Sequence, residues 1–346
     1  MAKKGNFRAI RSLLSPPTSE GKPMSGRRSR YRTLIRLAAL IGAAALAAGT
    51  MPAKTHAAES AYSHVYAFGD SYSDNGALLP LTQRAVAAKI PEAAVLPAVP
   101  ETGTYWQGRW SNGPTAIEDV AKQLGLGITD YAMGGAKSGD GNYYAWLDYI
   151  RDTGLRGQVR TFVESLNGKP ADARALYFVA ASANDYFQMG DFSRTETPRL
   201  LATRAAENTR YAVEQLVAAG ARNIMVSKSY LLSAVPAVAA DAKATAAAKT
   251  FEAQYDQALR DALTRIASRP GIRLTWFEWG KATQDIAANA KRNGIANITA
   301  PCQVTMPKPA AACGDPDAHL WWDEYHPSRR THSLLAGTML RALKLR

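Results

Sequence analysis

The chain has 346 residues, a formal net charge of +13, two cysteines and an apolar content of 47%. This composition excludes a fibrous or wholly disordered chain, and the length suffices to bury a sizeable core without metals or a dense disulfide framework. The charge does not signal a nucleic-acid partner: residues 1–58 hold eleven of the 42 Lys and Arg but one of the 29 acids, Glu20, which leaves 31 against 28, or +3, for the remainder.

In chain order, a basic stretch from Arg27 to Arg36 precedes an apolar run, Leu37 to Gly49, and small residues follow to Ala57-Ala58. A positive region, a short apolar region and a small-residue end match a cleavable export signal, and the apolar run is too short to span a bilayer. The expectation is an export leader over 1–58, with Met24 as its natural start and Arg27-Arg28 fitting twin-arginine export. Residues 59–346 then form one domain, secreted or periplasmic and without a stable membrane span; the rival reading is an uncleaved N-terminal anchor.

Past the leader, β-rich runs alternate with helical stretches. Strands are expected at His64–Phe68, Ile128–Met133, Ala175–Ala181, Asn223–Ser227 and Ile272–Phe277. Helices are expected at Thr115–Leu124, Pro198–Ala219, Lys281–Arg292 and Ser333–Leu345, and as one Ala-rich helix from Pro236 to about Ser268. Leu78 to Ser111, with its several Pro and Gly, reads as loop. Strands separated by helices of this length imply βαβ units, hence an α/β fold with a mostly parallel sheet and helices on both faces, functional groups gathering at the carboxyl ends of the strands.

Four polar motifs fall at such ends. The first strand runs into Gly69-Asp70-Ser71, where Ser71 is a candidate nucleophile that needs a base. Asp323-Glu324-Tyr325-His326 supplies a histidine with a carboxylate three residues earlier, the partner a catalytic imidazole requires. Gly134-Gly135 and Asn184-Asp185 follow two further strands and offer backbone and amide N–H groups for an oxyanion. Taken singly, each also reads blandly: a turn, a surface histidine, a helix cap.

In this order and spacing the four motifs resemble the GDSL/SGNH hydrolase superfamily, from about Val65 to about Leu340. The resemblance implies a flavodoxin-like α/β/α sandwich with a central, mostly parallel sheet, and hydrolysis of acyl esters without metal or organic cofactor. By matching position it implies Ser71, Asp323 and His326 as catalytic triad, and Ser71, Gly135 and Asn184 as oxyanion donors, with Gly134 open as an alternative to Gly135. Ser182 stands where the family usually has Gly, and Asp74, Asn75 and Asn112 match positions that buttress loops. His332 is expected in a core or helix face, and of Trp106, Trp110, Trp321 and Trp322 two are expected to pack and two to line a cleft.

Cys302 and Cys313 are expected to pair in an oxidising compartment, and no histidine at ligand spacing suggests a zinc site. The expected partner is a small-molecule, lipid or polysaccharide acyl ester, bound by a monomer. Rival activities are an acyltransferase sharing the acyl-enzyme, a deacetylase of acetylated polysaccharide, a metal-dependent phosphoesterase, for which four histidines after the leader are few, and a binding module that retains the motifs as scaffold.

Overall fold

The structure, a computed structural model, describes residues 61–98, 105–188 and 196–344. The expected leader lies outside the described residues. Among the described residues no helix is long and apolar enough to cross a membrane.

The central sheet is built from β1 (Val65–Gly69), β2 (Ile128–Asp130), β3 (Leu176–Ala180), β4 (Asn223–Ser227) and β5 (Arg273–Phe277), all parallel, in the order β2-β1-β3-β4-β5. This is the doubly wound order of flavodoxin-like folds, with its switch point between β1 and β3. β1 and β3 read as continuous apolar runs because both faces are covered. All five residues of β3 are buried. Over one face, α3 (Leu155–Ser165) packs on α5 (Glu196–Ala219), and α5 on α7 (Ala242–Ala267). Over the other, α2 (Ala116–Gln123) and α8 (Trp279–Ala288) both pack on α9 (Arg329–Lys344).

Several expectations need correction. The Leu78–Ser111 stretch holds a helix, α1 (Leu78–Ala87), whose Leu78, Leu81 and Ala85 pack with Trp110, Met133 and Trp146 in a second apolar cluster beside the main core. Pro80 masks it in the sequence, yet proline is tolerated in a first turn. Helix α3 has no counterpart among the sequence expectations, because Gly157 and Gln158, though buried, interrupt its apolar stripe. The Ala-rich helix is two, α6 (Pro236–Ala239) and α7, divided where Asp241 turns extended and caps α7 by accepting from the Ala244 N–H at 2.8 Å. A short α4 (Ala183–Phe187) follows β3, and β6 (Asn297–Pro301) pairs with β7 (His319–Trp321) in a separate two-stranded sheet. Cys302 and Cys313 form a disulfide just after β6.

The end of β1 is shaped by close approach. A Cβ on Gly69 would lie 2.5 Å from the Ala180 carbonyl oxygen, so glycine alone lets β1 and β3 stay paired to their ends. Gln158 completes this end: its amide oxygen accepts from the Gly69 N–H at 2.8 Å, and its NH₂ donates to the carbonyls of Gly69 at 2.7 Å and Thr153 at 2.9 Å. The Gly69 carbonyl also accepts from the Met133 N–H, so Gln158→Ala takes the partner from two backbone groups, the Gly69 N–H and the Thr153 carbonyl, and is expected to lower the unfolding free energy by about 2–4 kcal/mol. Urea denaturation reads this, and a change under about 0.5 kcal/mol would show that water replaces the glutamine freely.

Candidate active site

The turn after β1 closes on Asp70, whose carbonyl accepts from the N–H groups of Ser73 and Asp74, both at 3.0 Å. Ser71 is thereby lifted off the strand end, half-buried, toward the C-terminal segment. That segment folds back between β7 and α9, with the Trp322 N–H donating to the His326 carbonyl at 2.7 Å. A second link fixes one turn on the other: the Tyr72 hydroxyl donates to the Tyr325 carbonyl at 2.6 Å, while its ring packs 5.7 Å from the His326 ring.

The result is a continuous chain of hydrogen bonds. Ser71 Oγ lies 2.8 Å from His326 Nε2, and His326 Nδ1 lies 2.8 Å from both Asp323 carboxylate oxygens. Asp323 is 2% exposed and His326 7%. Burial pushes the Asp323 carboxyl upward. The neighbouring His326 and donors from His326, Tyr105 and the Tyr325 backbone outweigh it and hold the group below its ordinary value. An ionised Asp323 must receive the Nδ1 proton, which leaves Nε2 bare to accept from the Ser71 hydroxyl.

The loop after β2 is pinned by side chains. The Gly134 N–H donates to Asp74 Oδ2 at 2.8 Å, and the Gly134 carbonyl accepts from Asn142 Nδ2 at 2.9 Å. The Gly135 carbonyl accepts from the Tyr143 N–H at 2.7 Å, whereas the Gly135 N–H has no recorded partner among the described residues. Gly135 sits at φ 77°, and a Cβ there would lie 2.3 Å from Asn142 Oδ1, so this position demands glycine twice over. The Gly134 N–H is thus occupied and the Gly135 N–H is not.

Asn184, in α4, donates through Nδ2 to the Ala136 carbonyl at 3.0 Å, which leaves one amide hydrogen over. Its neighbour Asp185 accepts from the Ser138 N–H and hydroxyl, both at 2.8 Å, and binds the same loop to α4. Ser182 precedes this helix at φ −162°, outside the left-handed region that favours glycine, so the turn does not require Gly there. Asp74 and Asn112 do brace loops: Asp74 also accepts from the N–H groups of Gly76 and Ala77, and Asn112 Oδ1 accepts from the Arg329 N–H at 2.7 Å.

The remaining singled-out residues separate. His332 is buried, and its Nδ1 accepts from the Ala116 N–H at the start of α2. Burial, then the nearby His326, lowers it to about 3, so it stays neutral and structural. Trp110 lies 5.2 Å from the His326 ring and against Gly134; Trp321 is core, donating to the Ile298 carbonyl. Trp322 is buried as well, while Trp106 sits at the surface under the Arg109 guanidinium. His319 corrects the expectation that no histidine approaches the cysteines: its Nδ1 lies 3.4 Å from Cys313 Sγ, and the ligand atoms of Cys302, Cys313 and His319 fall within 4.8 Å of one another. With the sulfurs joined to each other, neither is a thiolate ligand. Gln158 and Tyr105 are not legible as site residues in the sequence, since each acts through a contact with a distant segment, and Asn142 is not because its contacts fall within its own loop and belong to no motif.

Asp70 sits fully buried behind Ser71, accepting from the Tyr72 N–H at 3.1 Å and the Tyr230 hydroxyl at 3.0 Å. Burial raises its carboxyl to about 7, against those hydrogen bonds and the nearby His326. A folded value above the unfolded one favours folding while the group is protonated, and that contribution fades as pH climbs from about 4 through 7. The stability of wild type relative to Asp70→Asn should therefore fall by roughly 3–4 kcal/mol between pH 4 and pH 8. Urea titrations at several pH values test this, and parallel stability curves would refute it.

Residues 65–338 match the family model described as GDSL-like Lipase/Acylhydrolase. The phosphatidylcholine-sterol acyltransferase of Aeromonas hydrophila is 26% identical over 258 residues, covering 73% of this chain and 70% of that protein. A GDSL esterase/lipase of Arabidopsis thaliana is 24% identical over 332 residues, covering 80% and 86%. Among solved structures, a carbohydrate acetylesterase from Sinorhizobium meliloti aligns with a TM-score of 0.40 and 15% identity, over 82% of this chain and 98% of that one; so distant a likeness says nothing of substrate. With most of its length matched by the family model, the chain belongs to the GDSL-like lipase/acylhydrolase family and is a carboxylic ester hydrolase.

Proposed function

We propose that this chain is an exported serine esterase that cleaves acyl esters through an acyl-enzyme on Ser71. The observation that carries the reading is the unbroken hydrogen-bonded chain Ser71–His326–Asp323, each link 2.8 Å. Ser71 Oγ attacks the ester carbonyl carbon as His326 Nε2 takes its proton. The imidazolium is stabilised by Asp323, and its proton then goes to the departing alkoxide. Water attacks the acyl-enzyme by the same route in reverse, releasing the acid and restoring Ser71.

The oxyanion is received by the N–H groups of Ser71 and Gly135 and by the spare amide hydrogen of Asn184. Gly135 is favoured over Gly134 because Asp74 already occupies the Gly134 N–H. Residues 1–58 act as a cleavable leader, 59–346 as one domain, and the mature protein as a monomer. N-terminal sequencing of the exported protein checks the leader, and an uncleaved N-terminus in that fraction contradicts it.

A second reading keeps the site and changes the acceptor. Transfer of the acyl group to an alcohol uses the same acyl-enzyme, and the similarity to a phosphatidylcholine-sterol acyltransferase favours giving it a test. Products formed in the presence of a sterol or sugar alcohol distinguish transfer from hydrolysis.

The decisive assay compares residues 59–346 with variants on p-nitrophenyl acetate, butyrate and palmitate. Ser71→Ala is expected to lose at least about 10⁴-fold in kcat. Asn184→Ala should lose about 10²–10³-fold with little change in KM. Wild-type rates in a folded Ser71→Ala protein would end the proposal.

A further inference from the structure

Tyr105 belongs to none of the four motifs, yet its hydroxyl donates to Asp323 Oδ2 at 2.7 Å across 218 residues of sequence. We propose that Tyr105 is a positioning residue for the triad: its hydroxyl holds the Asp323 carboxylate in the orientation that directs the His326 Nε2 lone pair at Ser71. This rests on the reading of Ser71, His326 and Asp323 as the catalytic residues.

The two carboxylate oxygens are not equally provided for. Oδ1 accepts from the backbone N–H groups of Tyr325 at 2.8 Å and His326 at 2.7 Å. Oδ2 has Tyr105 and a share of the His326 Nδ1–H, whose nitrogen lies 2.8 Å from both oxygens. Without the phenol, Oδ2 would keep only that share, deep inside the protein, and the carboxylate would gain freedom to turn about its Cβ–Cγ bond.

The tyrosine is held to this task. Its ring packs against Trp110 at 6.0 Å and Trp322 at 6.5 Å. The following residues close a loop through the Trp106 N–H to the Ser111 carbonyl at 2.9 Å, and the Ser111 hydroxyl donates to the Pro327 carbonyl at 2.8 Å, next to His326. Burial, then the charge of Asp323, drives the Tyr105 phenol far above its ordinary range, so it stays a donor.

A donor on Asp323 also draws off part of the charge that stabilises the imidazolium. Removing it makes the imidazolium more favourable, so the acid limb of kcat/KM moves to higher pH. The other titratable groups facing His326 are Asp70 and Tyr72 from the β1 turn, Asp323 and Tyr325 from its own turn, and His332 from α9. Glu324 faces Tyr105 itself. All of these are common to wild type and variant.

The test is Tyr105→Phe in residues 59–346, which keeps the ring and removes one oxygen. Hydrolysis of a p-nitrophenyl ester, a fluorophosphonate count of reactive Ser71, the pH profile of kcat/KM and the downfield proton resonance of His326 Nδ1–H are all measured. The expected result is kcat about tenfold lower per reactive site, KM within twofold, an acid limb at higher pH and a displaced resonance. An unchanged kcat, or a loss explained by fewer reactive sites with the acid limb in place, overturns the proposal. Should wild type hydrolyse no ester, the esterase reading falls separately, and a resonance unmoved by the substitution would still overturn the contact's influence on the Asp323–His326 pair.

Discussion

Everything at this site depends on keeping one carboxylate, Asp323, charged inside the protein. Burial by itself would push it toward neutrality, and the neighbouring His326 together with the donors around it prevents this. Those donors come from its own turn and from Tyr105, more than two hundred positions away. Once the carboxylate is ionised, the protonated ring nitrogen of His326 has one place to point, and the other nitrogen faces Ser71. The tautomer, and with it the direction of proton transfer, follows from an electrostatic condition satisfied by packing.

The loops around this centre are held by the same device. Asp74 gathers the N–H groups of Gly76, Ala77 and Gly134, and Asp185 those of Ser138. Both carboxyls are raised to about 6 by burial, opposed by the hydrogen bonds they accept. Apart from a single bridge between Ala136 and Asn142 neither loop lies in a sheet or helix, so buried acids and Asn142 serve as much of the framework. In the Gly-Gly turn this framework engages the Gly134 N–H and leaves that of Gly135 without a partner among the described residues.

Most of the sheet was legible because a strand covered on both faces must be apolar along its buried length, as Val65–Gly69, Leu176–Ala180 and the middle of Asn223–Ser227 are. The pieces that escaped did so for local reasons. Pro80 hid α1, whose apolar face packs on a satellite cluster of its own. Gln158 broke the apolar stripe of α3 because its buried amide is spent on the end of β1. Asp241 divided an alanine run that has no other break in pattern, and of the β6–β7 pair, β6 is largely exposed and carries no apolar run while β7 has three residues.

The sequence by itself determined which residue types stand at the strand ends: a serine after a glycine, a glycine pair, an asparagine before an aspartate, and a histidine three residues past an aspartate. It determined the alternation of strand and helix that places them on one edge, because hydrophobic period and glycine position are local properties. Tertiary structure alone decided that Ser71 and His326 meet at 2.8 Å, that Asp74 takes the Gly134 N–H, that Tyr105 reaches Asp323, and that His319 lies beside the disulfide. The first three are contacts between segments 60 to 255 residues apart, and the last a contact across six residues that depends on how the disulfide loop folds. Hydrogen-bond geometry acts over about 3 Å, a scale on which sequence separation carries no information until the chain has closed on itself.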